Sequence, residues 1–106
     1  MAHRLAPQVE FELDDIWYYV ARESGSIEIA DRLIDAITDR FHLLASHPYV
    51  GRLREDLRPE LRSFPVGQFI VIYSIDEADV LILHVLHSHR DILRIFGEYS
   101  ANSLRR

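Results

Sequence analysis

Residues 61–87 read LRSFPVGQFIVIYSIDEADVLILHVLH, and their period decides the fold. Three runs rich in Val, Ile, Phe, Leu and Tyr, at Leu61–Val66, Gln68–Ile75 and Val80–His87, are separated by Gly67 and by Asp76-Glu77-Ala78-Asp79. Apolar and β-branched runs bounded by turn residues are strands, and the last two form an antiparallel hairpin. Alternation puts Phe69, Val71, Tyr73 and Ile75 on one face of the middle run and Ile70 and Ile72 on the other. In the last run Val80, Ile82, His84 and Leu86 oppose Leu81, Leu83 and Val85. Both strands are apolar on both sides, so the sheet needs two covers.

Upstream, the spacing changes to steps of three and four. Pro7 suits the first position of a helix, where its missing N–H leaves no vacancy. Val9, Leu13, Ile16, Trp17 and Val20 then make one apolar stripe, and Ser24-Gly25 ends it. Ser26 is the N-cap of a second helix with Glu28 in its first turn, and Ile27, Ala30, Ile34, Ile37, Phe41 and Leu44 form its stripe, widened by Leu33. His47-Pro48 stops that helix, because a residue before proline is driven out of helical geometry.

Residues 2–6 read as a short strand, and Asp91 caps a final helix with Ile92, Ile95, Phe96 and Tyr99 on one face. The expected fold class is α+β in one domain, residues 1–106: a short N-terminal strand, a helical hairpin, then a three-stranded antiparallel sheet with a short C-terminal helix. The hairpin covers one face of the sheet. The other falls to the C-terminal helix, to a second copy or to a partner.

Composition narrows the chemistry. The chain has 106 residues and no cysteine, which excludes a disulfide scaffold, a thiolate metal site and a cysteine nucleophile. All 12 basic residues are arginine, so a lysine base and a Schiff base are excluded as well. The formal net charge of −5 lies in residues 1–47, while residues 48–106 balance, which argues against a nucleic-acid-coating surface. With neither a signal-peptide pattern nor a membrane-length apolar run, the expectation is a soluble, cytoplasmic protein. No glycine-rich phosphate loop, HExxH or nucleophile elbow occurs, and the residues call for no metal or other cofactor.

Two polar clusters remain. His84, His87 and His89, with Arg90 and Asp91, lie in the segment HVLHSHRD, but steps of three and two place the imidazoles on no common strand face. A polar strand end is the simpler reading than a metal site or an acid–base pair. Arg52, Arg54, Arg58 and Arg62 are interleaved with Glu55, Asp56 and Glu60, which points to a self-paired loop more than to a phosphate patch. Trp17 falls on the helical stripe and belongs to the core, leaving Tyr18 and Tyr19 as contact candidates.

In this order and in their wording, DDIWYYVARESG, HPYVGR with the following LR, LRSFPVGQFIVIY and VLHSHRDI resemble the ParE/RelE superfamily of bacterial type II toxin–antitoxin toxins, and its ParE branch in particular. The resemblance covers about residues 3–95. It implies a growth-inhibiting toxin neutralised by a ParD-like antitoxin, whose flexible C-terminal segment folds onto it, and in the ParE branch the target is DNA gyrase. The RelE branch instead cuts mRNA on the ribosome with basic residues, lysines among them, and a late tyrosine. Here Lys is absent and Phe69 and Ile70 stand where those ribonucleases tend to place a basic residue, although Tyr99 resembles their late tyrosine and Arg90 matches an arginine that both branches carry near the end of the last strand. A degenerate, non-toxic antitoxin-binding module is the third possibility. On the two-faced sheet, Arg62, Phe64, Phe69, Val71 and Tyr73 are the expected antitoxin contacts, and His87 and Arg90 the expected target contacts, with no catalytic residue.

Overall fold

The structure, a computed structural model, describes residues 1–87 and 91–97. In chain order it has β1 (Ala2–Leu5), α1 (Pro7–Ser24), α2 (Ile27–Ser46), β2 (Arg52–Leu53), β3 (Arg62–Val66), β4 (Phe69–Asp76) and β5 (Asp79–His87). A short helix, α3, follows over residues 91–97. The architecture is α+β, as the periods imply, but the sheet has five strands in the order β1-β5-β4-β3-β2 rather than three. The added strands are edges. β1 pairs parallel to β5, with Ala2 opposite Asp79, and β2 is a two-residue strand beside β3. Neither pairing has a local sequence signal, since β1 finds its partner 77 residues along the chain.

The helix ends form where the side chains dictate. Pro7 opens α1, and Gly25 closes it at φ 68°, a left-handed conformation that costs a residue without Cβ little. Ser26 Oγ accepts the Ile29 N–H at 3.2 Å to start α2, and the His47 N–H donates to the Leu43 carbonyl at its end. Ile27 departs from its expected stripe: it is exposed at the tip of the hairpin, before α2 reaches the sheet.

Two cores lie on opposite sides of the sheet. Under the helical hairpin, Val9, Ile16, Ile37, Phe41 and Leu44 pack on Phe69, Val71, Tyr73, Val80, Ile82 and Val85. On the other side Leu57, Leu61, Ile72 and Leu86 are closed over by Ile92 and Phe96 of α3. The chain thus covers its own second face, with α3 and the loop before β3. The expected alternation of β5 is corrected by a bulge: Ile72 pairs with His84 and Tyr73 with Ile82, leaving Leu83 as an extra residue. One inserted residue reverses the faces beyond it, so Val85 rather than His84 joins Val80 and Ile82 under the hairpin.

Of two apolar side chains three residues apart on α3, Phe96 is 2% exposed and Leu93 53% exposed. Phe96→Ala should lower unfolding free energy by about 3 kcal/mol, and Leu93→Ala by less than about 0.5 kcal/mol, as read from urea titration. Equal effects would mean that α3 does not seal the second core.

Candidate functional site

Tyr73 is fully buried in the first core, yet its hydroxyl reaches the loop after α2. It donates to the Pro48 carbonyl at 2.7 Å and accepts the Gly51 N–H at 2.9 Å. Gly51 is required by this approach, because a Cβ there would overlap the Tyr73 hydroxyl and come within 2.6 Å of Cε1. Arg62, opposite Tyr73 across β3 and β4, donates to the Gly51 carbonyl at 2.8 Å and the Tyr49 carbonyl at 3.4 Å. Its guanidinium carbon stands 5.0 Å from the centroid of the Tyr49 ring. HPYVGR, the arginine of LRSF and the tyrosine of β4 are therefore parts of one assembly. Burial raises the Tyr73 pKa above its ordinary 10.0, against the opposing pull of the Gly51 N–H and Arg62.

The arginine cluster is dispersed by its partners. Arg54 forks onto Asp56 through Nε at 3.0 Å and Nη2 at 2.9 Å, and that hydrogen bond holds the Asp56 carboxyl below its ordinary range. Arg58 lies over the ring of Phe96, 5.2 Å from its centroid. Arg62 braces the loop, and Arg52 is exposed on the edge strand.

The five expected antitoxin contacts fall together on β3 and β4, with Arg62 opposite Tyr73 and Phe64 opposite Val71. Their accessibility differs. Phe69, Val71 and Tyr73 are sealed beneath the helices, whereas Arg62 and Phe64 are half-buried. Beside Arg62, a depression of about 210 Å³ is lined by Tyr49, Leu53, Glu60 and Ile75. Tyr49, Val50 and Leu53 are exposed apolar side chains that periodicity does not single out. Of the expected target contacts, His87 is half-buried at the end of β5, stacked on Phe69 with ring centroids 4.8 Å apart. Arg90, like His89 and Tyr99, lies outside the described residues.

His84 and His87 do not share a site. His84 Nδ1 is 2.7 Å from Glu12 Oε2, and Glu12 Oε1 accepts the Val85 N–H at 2.9 Å, which pins α1 to the bulged strand. Glu12 escapes sequence reasoning because its partners lie 72 and 73 residues away. Trp17 is half-buried and donates its indole N–H to Asp31 on α2, while Tyr18 and Tyr19 are exposed. Among the described residues, no three His, Asp or Glu side chains are placed to hold a metal ion, and no helix is long and apolar enough to cross a membrane.

Residues 4–92 match the family model described as the ParE toxin of the type II toxin–antitoxin system, parDE. A protein named Toxin ParE3 from Caulobacter vibrioides is 33% identical over 90 residues, 85% of this chain and 89% of that one. Toxin ParE1 of the same organism is 32% identical over 85 residues, 80% and 86% of the two chains. Among solved structures, a chain from the chromosomal ParDE toxin–antitoxin system of P. aeruginosa superposes with a TM-score of 0.73 at 18% identity, over 84% of this chain and 97% of that one. That likeness is one of fold.

Because the folded state holds the Tyr73 proton more tightly than the unfolded chain, it binds more protons above pH 10, and stability falls as pH rises through that range. Tyr73→Phe should flatten this alkaline decline. At neutral pH it should cost about 1–3 kcal/mol, by leaving the Pro48 carbonyl and the Gly51 N–H without their partner. Urea titrations of both proteins between pH 8 and pH 11.5 would test both, and parallel curves would dismiss the role given to Tyr73.

Proposed function

We propose that this chain, which belongs to the ParE toxin family of type II toxin–antitoxin systems, inhibits growth by binding and poisoning DNA gyrase in the cytoplasm and is neutralised by a ParD-like antitoxin. The observation that carries a binding mechanism over RNA cleavage is the fate of the arginines. Stabilising a phosphoryl transition state needs cations converging on one point. Here Arg54 is committed to Asp56, Arg58 to the face of Phe96 and Arg62 to loop carbonyls. The toxin then works as a shaped surface without a catalytic residue, with His87, at the end of β5, and Arg90 as target contacts.

The antitoxin site lies on the half-buried Arg62 and Phe64 and the exposed Tyr49, Val50 and Leu53 beside them. Phe69, Val71 and Tyr73 belong to the same patch as its buried support, and a folding antitoxin segment would meet them only at the margin of the hairpin. Apolar burial at about 25 cal/mol per Å² offsets the ordering cost of such a segment.

Induction of the protein alone in a bacterial host should raise an SOS reporter within minutes, with DNA synthesis failing before protein synthesis. Early translation arrest without SOS would turn the assignment to an mRNA endonuclease, and no growth effect to a non-toxic module. On binding the cognate antitoxin, backbone amides of Tyr49–Leu53 and Arg62–Phe64 should exchange at least tenfold more slowly. Unchanged exchange in both segments would move the antitoxin site elsewhere.

A further inference from the structure

A second concave site shares no lining residue with the depression beside Arg62. It is an open depression of about 190 Å³ between α1, the start of β4, the end of β5 and α3. Ile16 and Phe69, both buried, form an apolar floor. The walls are aromatic: the His87 ring stacks on Phe69 and stands 5.0 Å from that of Tyr19, centroid to centroid. Among the described residues the rim is acidic, with Glu12, Asp15 and Asp91 beside the guanidinium of Arg94.

The three carboxylates are not equivalent. Glu12 is held by His84 and the Val85 N–H, and Asp91 accepts the His87 N–H at 3.0 Å and faces Arg94 at 3.6 Å. Asp15 is exposed on α1 and belongs to no ion pair among the described residues. Three and four residues from it, Tyr18 and Phe11 are 61% and 72% exposed and extend the aromatic surface along α1. An apolar floor, planar aromatic walls and a carboxylate at the mouth fit a side chain with an alkyl stem and a flat, delocalised cation at its tip. Guanidinium meets that description better than ammonium, since it stacks on rings and pairs with a carboxylate through two parallel hydrogen bonds. The aromatic ridge outside the pocket favours a macromolecule over a free small molecule, because it offers contact area that a single amino acid cannot fill.

We infer that this pocket receives an arginine side chain presented by a protein partner, with Asp15 as its counter-ion and the exposed ring of Tyr19, backed by His87 and Phe69, as its stacking surface. The inference stands on this pocket and is independent of whether the toxin acts on gyrase.

The test uses the full-length protein, labelled with ¹³C and titrated with Nα-acetyl-arginine amide, with the neutral isostere Nα-acetyl-citrulline amide and with spermidine. The arginine amide should shift the methyl signals of Ile16 and Val85 and the ring signals of Tyr19 and His87 in a saturable way. It should bind at least threefold more tightly than either comparator. Asp15→Asn, a substitution on the solvent side of α1, should lower arginine affinity at least threefold and leave the weaker citrulline binding unchanged. Equal binding of arginine and citrulline would remove the charge recognition. Equal binding of spermidine would reduce the pocket to a general cation site, and shifts confined to other residues would place the arginine elsewhere. Each of these results overturns the inference.

Discussion

β4 presents Phe69, Val71 and Tyr73 to one side and Ile70 and Ile72 to the other, and the need to bury both sets organises the molecule. One apolar layer cannot satisfy such a strand, so the chain brings a helical hairpin to one face and α3 with Leu57 and Leu61 to the other. Tyr73 sits where these demands meet the loops. Its ring is core, and its hydroxyl is the hydrogen-bonding partner of a loop that would otherwise leave a backbone donor and acceptor without one. Gly51 and Arg62 follow from that choice, one giving room for the phenol and the other bracing the carbonyls above it.

A motif that identifies the family is in this molecule largely a motif of architecture. Proline, glycine, arginine and tyrosine of HPYVGR and LRSFPVGQFIVIY converge on a few backbone groups of one loop. That convergence redirects the functional weight of the arginines. A guanidinium donating to carbonyls 2.8 and 3.4 Å away has fewer donors left for a carboxylate or phosphate, so Arg62 acts more by shaping the Tyr49 loop than as a free charge.

The sequence made the elements legible wherever the cause was local. Gly25, Ser26 and Pro48 mark the helix boundaries because caps and breakers act within a turn of themselves. What stayed hidden depends on contacts between distant residues. β1 becomes a strand of the sheet only by meeting β5, and β2 exists only as two residues beside β3. The faces of β5 reverse at Leu83, since a bulge is a property of the paired ladder and not of either strand alone. Residue type located the His87 end of β5, but not Glu12 or Asp15, which lie beside it only because α1 crosses there.

Filling both faces from within changes what a partner can use. With the two cores closed, the apolar side chains left exposed among the described residues include two groups at rims: the Tyr49–Leu53 loop beside Phe64, and the α1 ridge of Phe11, Tyr18 and Tyr19. They differ in character. The first combines exposed apolar side chains with an internally engaged arginine, and suits a segment that gains mainly by burying apolar area. The second sets aromatic rings beside the carboxylates of Glu12 and Asp15 in the acidic half of the chain, an arrangement that would select by charge as well as by area. The two rims meet only at Phe69, buried beneath both, so that each would present its own chemistry to solvent over a shared core.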